Sequence, residues 1–183
     1  MLACNTFEAN KQTMKKIYII MLLIVSGTLI SFGCKNDDKK DSNDDIKTFL
    51  CEMTDARMMD IEEGKVAAER GTIKEVKDYG NLMIKDQNYL LDELKKFAKT
   101  KNITLPTKIS DEKLNGLKDL KEKSGKDLDK KFLKMISIDH KRDVRKFKKA
   151  TEIDDQETKV FAKKHLPMIK SHLKKVCQIR KDY

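Results

Sequence analysis

Proline and glycine are scarce, two and seven in 183 residues, and from Ile46 onward apolar and polar residues nowhere alternate for long. Those two absences exclude a strand-rich fold and leave helices. Catalytic signatures are missing as well. No constellation of Ser or Cys with a base is recognisable, no glycine-rich loop is present to cradle a phosphate, and no paired catalytic cysteine motif occurs. The chain is therefore read as noncatalytic. Arginine supplies 5 of the 40 basic residues behind a formal net charge of +10, the other 35 being lysine with acidic residues interspersed. Lysine is a point charge, whereas reading base edges favours the planar guanidinium fork. The charge is accordingly that of a solvated surface, and no nucleic-acid partner is expected. Weak attraction to anionic lipid or polysaccharide, centred on Lys141–Lys149 and Lys174–Lys181, is the one partner class this charge leaves open.

One apolar stretch stands out. Met14–Cys34 (MKKIYIIMLLIVSGTLISFGC) begins with two lysines, is apolar from Ile17 to Ile30, and ends in Ser31, Phe32, Gly33 and Cys34. These are the charged, hydrophobic and cleavage regions of an export signal, placed at residues 14–33. The run from Ile17 to Phe32 is short for a membrane span and is broken by Ser26, Gly27, Thr28 and Ser31. Its end resembles a bacterial lipobox, which implies that Cys34 becomes the first mature residue and carries palmitate-type acyl chains; the alternative is an uncleaved membrane anchor. Residues 1–13 fit no part of a signal, so Met14 is read as the initiator. Residues 34–45 contain no apolar side chain beyond the cysteine and are expected to form a flexible tether. Lys35 is unlike the inner-membrane retention signal of enteric lipoproteins, and Asp37–Asp38 resembles the surface-export tags of other lipoproteins. The expected place is the outer membrane of the cell envelope, facing the periplasm or the surface. The first 34 residues hold three lysines and one glutamate, which leaves +8 on the rest.

Residues 46–183 are the expected folded domain, with apolar residues at helical spacing throughout. A first helix carries Ile46, Phe49, Met53 and Ala56 and stops at Gly71. Thr72–Glu75 reads as a capping box that opens a second, carrying Ile73, Val76, Met83, Leu90 and Leu94, up to the connection Asn102–Thr107. Ser110 with Asp111 and Glu112 opens a third region, interrupted near Ser124–Gly125, whose longer part carries Phe132, Leu133, Ile136, Val144 and Phe147. Asp154 with Glu157 starts the last, with Phe161, Ile169, Val176 and Ile179, and Pro167 inside it is expected to bend it. Short connections between long amphipathic helices predict an all-α, up-down-up-down four-helix bundle.

Each stripe is interrupted by a polar residue: Asp60, Gln87, His140, and His165 with His172. Buried groups of this kind must meet one another, a metal or trapped water. With about 1.5 Å of rise per residue, and both helical hairpins taken to turn at one end, Asp60, His140 and His165 fall in one layer and His172 lies deeper. Several ordered segments share a second resemblance: Asp60–Ala67, Ile103–Pro106, Ser124–Gly125 with Asp129, the helix around His140, Leu166–Pro167 and His172–Leu173. Together they resemble a bacterial family of undefined function, described as outer-membrane or periplasmic proteins with a ferritin-like four-helix bundle, over nearly all of residues 47–179. The resemblance implies Glu where this chain has Asp60 and His where it has Gln87, and it favours His172 over His165.

Asp60 with His140 and either His172 or His165 is a reasonable ligand set for iron or zinc. Against a metal, Ser137, Ala162 and Ile169 stand three residues before the histidines, so the Glu-x-x-His of di-iron bundles is absent, and Gln87 is a poor ligand. The competing reading is a buried hydrogen-bond network that fixes helix register and needs no cofactor. The nine methionines are read as core filler. Of four cysteines, Cys4 lies in the leader and Cys34 at the lipidation site. Cys51 and Cys177, on antiparallel helices with an axial offset of about 6 Å, are expected to pair as a disulfide. Three functions are thus in play: a lipid-anchored envelope protein that binds a partner or supports the surface, a metal-binding or redox-stress protein, and a basic membrane-surface binder.

Overall fold

The computed structural model describes residues 42–183; the leader, the export signal, Cys34 and most of the tether lie outside the described residues. Among the described residues every regular element is a helix: α1 Ser42–Arg70, α2 Lys74–Thr100, α3 Asp111–Glu122, α4 Gly125–Ala150 and α5 Gln156–Asp182. None is long and apolar enough to cross a membrane. The fold is all-α, and the interruption at Ser124–Gly125 divides the third region into two separate helices. Gly125 has φ +56°, the left-handed conformation glycine adopts most readily, and with it two residues suffice to turn α3 into α4. α5 is continuous through Pro167.

Three local expectations shift. Ser42–Asp45, assigned above to the tether, form the first turn of α1, where Asp44 and Asp45 face the positive end of the helix dipole. Thr72 does not cap α2. Ile73 holds the N-cap position without a side-chain bond, because Thr72 is engaged by α4: its amide lies 3.1 Å from each Asp129 carboxylate oxygen and its hydroxyl donates to Oδ2. At α5 the cap is Asp155 rather than Asp154, accepting from the Thr158 amide at 2.7 Å.

The order of helix directions is the larger correction. Arg70, at the end of α1, donates to the carbonyls of Lys121 and Lys123 at 2.9 and 2.6 Å, and Tyr183, just past α5, donates to Asp129 at 3.1 Å. One end therefore gathers the finish of α1, the start of α2, the start of α4 and the finish of α5. At the other end Phe49 of α1 packs edge-on against Phe147 of α4, and Phe97 of α2 stacks on Phe161 of α5. Helices α2 and α4 consequently run the same way, and the order is up-down-down-up instead of up-down-up-down. The physical reason is α3. It starts where Ser110 donates to Asp55 from both its amide and its hydroxyl at 2.9 Å, climbs beside α1, and delivers the chain back to Arg70.

Two apolar clusters fill the interior. One holds Val66, Tyr79, Met83, Leu120, Leu128, Phe132 and Val176 at the Arg70 end, and the other holds Phe49, Leu50, Met53, Leu94, Phe147 and Ile169 at the far end. Between α1 and α2 the backbones nearly touch. A Cβ added to Gly80 would stand 2.6 Å from the Gly64 carbonyl oxygen and from the Ala68 nitrogen, so only glycine admits this approach.

Candidate functional site

Between the two clusters lies a charged layer, built one helical turn at a time. On α1, Arg57, Asp60 and Glu63 recur at three-residue spacing and share one inward face. On α4, His140 and Asp143 do the same. Arg57, Glu63, Gln87 and His140 are fully enclosed, and Asp60, Asp143 and His172 are 2% exposed. Burying that many polar groups is costly unless each finds a partner.

Arg57 is the hub. Its Nη2 donates to Asp143 Oδ2 and pairs with Asp60 Oδ2 at 2.9 Å, tying α1 to α4. Burial pushes the Asp60 carboxyl up to about 7, with the Arg57 charge pulling it back and Asp143 reinforcing the rise. Burial, reinforced by the Asp60 charge beside it, also drives Glu63 well upward, and neither of its oxygens has a hydrogen-bond partner. One guanidinium therefore serves two carboxylates while a third stays unpartnered.

The second half of the layer is an amide–imidazole chain. Gln87 Nε2 lies 3.2 Å from His172 Nδ1 and 3.5 Å from His140 Nε2, and the two imidazoles face each other with centroids 5.6 Å apart. Because an amide nitrogen only donates, His172 accepts at Nδ1, so its Nε2 carries the proton and donates to Asp86 Oδ2 at 2.9 Å. Tyr79 donates to the His172 carbonyl at 3.1 Å. Burial drives the His140 pKa far down, with the Arg57 charge adding to the effect. Burial also lowers His172, against the pull of Asp86. Both imidazoles are held neutral.

The structure thus brings Asp60, Gln87, His140 and His172 into one layer and leaves His165 out. The His165 ring packs on Phe161 and Tyr89, with centroids 4.5 and 6.0 Å away, and burial lowers its pKa to about 4. The depth estimate that favoured His165 assumed the wrong direction for α4 and α5. Measured from the Arg70 end, His172 lies near the level of Asp60 and His165 lies two turns beyond it. The same error produced the disulfide expectation. Cys51 follows Leu50 at the far end and donates to the Thr104 carbonyl at 3.7 Å, while Cys177 follows Val176 at the Arg70 end; both are free thiols.

Arg57, Glu63, Asp143 and Asp86 were not among the expected site residues. The available signal was spacing: Arg-x-x-Asp-x-x-Glu on α1 and His-x-x-Asp on α4, with an arginine in a chain whose surface cations are almost all lysine.

The layer is closed. A cavity of about 690 Å³ lies at the Arg70 end against Ile73, Lys126, Lys175 and Ile179 and includes none of these residues. A dimple of about 10 Å³ reaches Asp60 and Asp143 from outside, between Lys113 and Arg142. Residues 35–179 match the family described as "Domain of unknown function (DUF4142)". Among solved structures, the chain is similar to a DUF305 fragment from Deinococcus radiodurans at 11% sequence identity and a TM-score of 0.67, covering 76% of this chain and 97% of that one. At that identity the likeness is one of fold alone. No curated protein matches the chain.

Proposed function

The chain belongs to the DUF4142 family, whose function is undefined, and on that premise we propose that it is a noncatalytic component of the bacterial cell envelope. In this reading Cys34 carries the lipid anchor on the outer membrane, and a ferritin-like arrangement of four long helices, with α3 as the crossover, serves as a rigid support or docking element. One observation carries the noncatalytic part. The polar groups that chemistry would use are sealed between two apolar clusters, with a buried guanidinium already paired to both Asp60 and Asp143. A substrate has no room to reach them. What the layer does instead is link α1, α2, α4 and α5 through directional contacts, which penalises any slip of one helix along another.

The basic-surface reading has less support. Lys141–Lys149 lie in the half of α4 nearest the far end and Lys174–Lys181 at the Arg70 end of α5, so the two runs do not form one patch. The anchor is tested by growing cells with an alkyne-labelled fatty acid and fractionating them. The expected result is label on the wild-type chain in the outer-membrane fraction, with both label and membrane association lost in Cys34→Ser. An unlabelled wild-type chain in the cytosol overturns the reading.

A further inference from the structure

We infer that the charged layer is a binding site for one first-row divalent cation, held by Asp60, His140 and Asp143 with Glu63 as the additional carboxylate. This goes beyond the reading above, since neither anchoring nor register-fixing requires a metal. Two separate observations carry it.

The first is geometry. Asp60, His140 and Asp143, all buried, each offer a ligand atom, and the three atoms lie within 4.8 Å of one another. Bonds of about 2.0–2.2 Å to carboxylate oxygen and imidazole nitrogen place ligand atoms roughly 3–4.4 Å apart, so small side-chain movements close the set on one ion. A carboxylate has two oxygens and accepts on both, so Asp60 and Asp143 can each serve Arg57 with one and a cation with the other.

The second is the unpartnered group. Glu63 is fully buried, both of its oxygens lack a hydrogen bond, and it sits one turn beyond Asp60 on the same face of α1. His140 Nδ1 has no partner of good geometry either. Asp60, Asp143 and Glu63 thus crowd around a single buried guanidinium, which leaves carboxylate oxygens in the layer without a donor. The donor chemistry, three carboxylates and one imidazole, suits manganese, ferrous iron or zinc and disfavours a thiophilic ion. The dimple beside Asp60 and Asp143 supplies the route in. Its three cations are held aside by their own partners, Lys113 by Asp55 at 3.0 Å, Lys146 by Glu52 at 2.8 Å and Arg142 by Asp139.

The test is equilibrium dialysis of the full chain, purified in detergent without a histidine tag, against Mn(II), with bound metal counted by mass spectrometry and the melting temperature recorded. Mn(II) is chosen because it passes over the free thiols of Cys51 and Cys177. The expected result is about one ion per chain with a raised melting temperature. Asp143→Asn and Glu63→Gln should each weaken binding by ten-fold or more, and His165→Ala should leave it unchanged. Glu63→Gln changes a side chain whose oxygens have no hydrogen-bond partner, so it breaks no bond of the fold and keeps the site testable should Asp143→Asn fail to fold. Cys34→Ser should bind as the wild type does, which keeps the fate of the anchor separate from that of the site. A folded wild-type chain that takes up no metal overturns the inference, as does uptake that survives Glu63→Gln.

Discussion

Leu50 and Phe147 at the far end of the helices are as deeply buried as Arg57, Glu63 and His140 in the middle. The two regions nevertheless contribute differently. The apolar ends stabilise in proportion to the area they remove from water, and a neighbouring side chain can shift to fill part of any gap left there. The charged layer gains little net stability from its pairs, because desolvation offsets most of the attraction. Its contribution is directional: Arg57 joins α1 to α4, and Gln87 joins α2 to both histidines. The ends make the fold stable, and the middle selects one alignment of the helices.

Removing the hub should break the comparison most sharply. Arg57→Ala leaves Asp60 and Asp143 buried beside Glu63 with no counter-charge, and the expected loss is about 3–5 kcal/mol by urea denaturation. Much of that loss belongs to the stranded carboxylates. Adding Asp60→Asn should therefore recover about 1 kcal/mol or more, a non-additivity expected of groups in direct contact. Simple additivity would mean that Arg57 acts through packing alone. Leu50→Ala is the matched change in the apolar end, with an expected loss of about 3 kcal/mol. No second substitution of a charged residue should recover it, because no charge was stranded.

A third kind of contact sharpens the contrast between side-chain and backbone packing. Gly80→Ala forces a Cβ to within 2.6 Å of the Gly64 carbonyl oxygen, and backbone cannot swing aside as a leucine can. Overpacking of this kind costs about 1–3 kcal/mol, partly offset by the roughly 1 kcal/mol by which alanine is the better helix former. The expected result is a modest net loss of stability. A stabilised variant would show that α1 and α2 can separate without cost.

The helices and their buried stripes were legible in the sequence because periodicity records which face is inward. Their directions were not. The 12-residue α3 reads as part of one interrupted helix, yet about 18 Å of climb beside α1 reverses every helix after it. One topological error thus placed His165 in the layer and brought Cys51 to Cys177. His172 was favoured by family resemblance, which carries topology implicitly, where counting residues failed. Arg57, Glu63 and Asp143 were illegible for a different reason. In a chain that is 38% charged, a charged residue on a helix is by default solvated, and periodicity scores it as outward. Only the coincidence of spacing between Arg57, Asp60 and Glu63 pointed the other way.

The smallest effect belongs to the turn between α4 and α5, where charge is partly solvated and does ordinary capping work. Asp155 accepts from the Thr158 amide and pairs with Lys101 at 2.7 Å, an ion pair that also bonds the start of α5 to the end of α2. These bonds to the charged form, opposed by partial burial, hold the carboxyl at about 2. The folded value lies below the unfolded one, so the unfolded chain takes up the proton first. The contribution of Asp155 is therefore fully present above about pH 4 and fades as pH falls toward 2. Asp155→Ala should cost about 1 kcal/mol at neutral pH, the usual value of an N-cap, and almost nothing at pH 2. Denaturation of both proteins across that interval should show the two stability curves converging toward the acid side, and parallel curves would assign the loss to packing at the turn instead of to the charged cap.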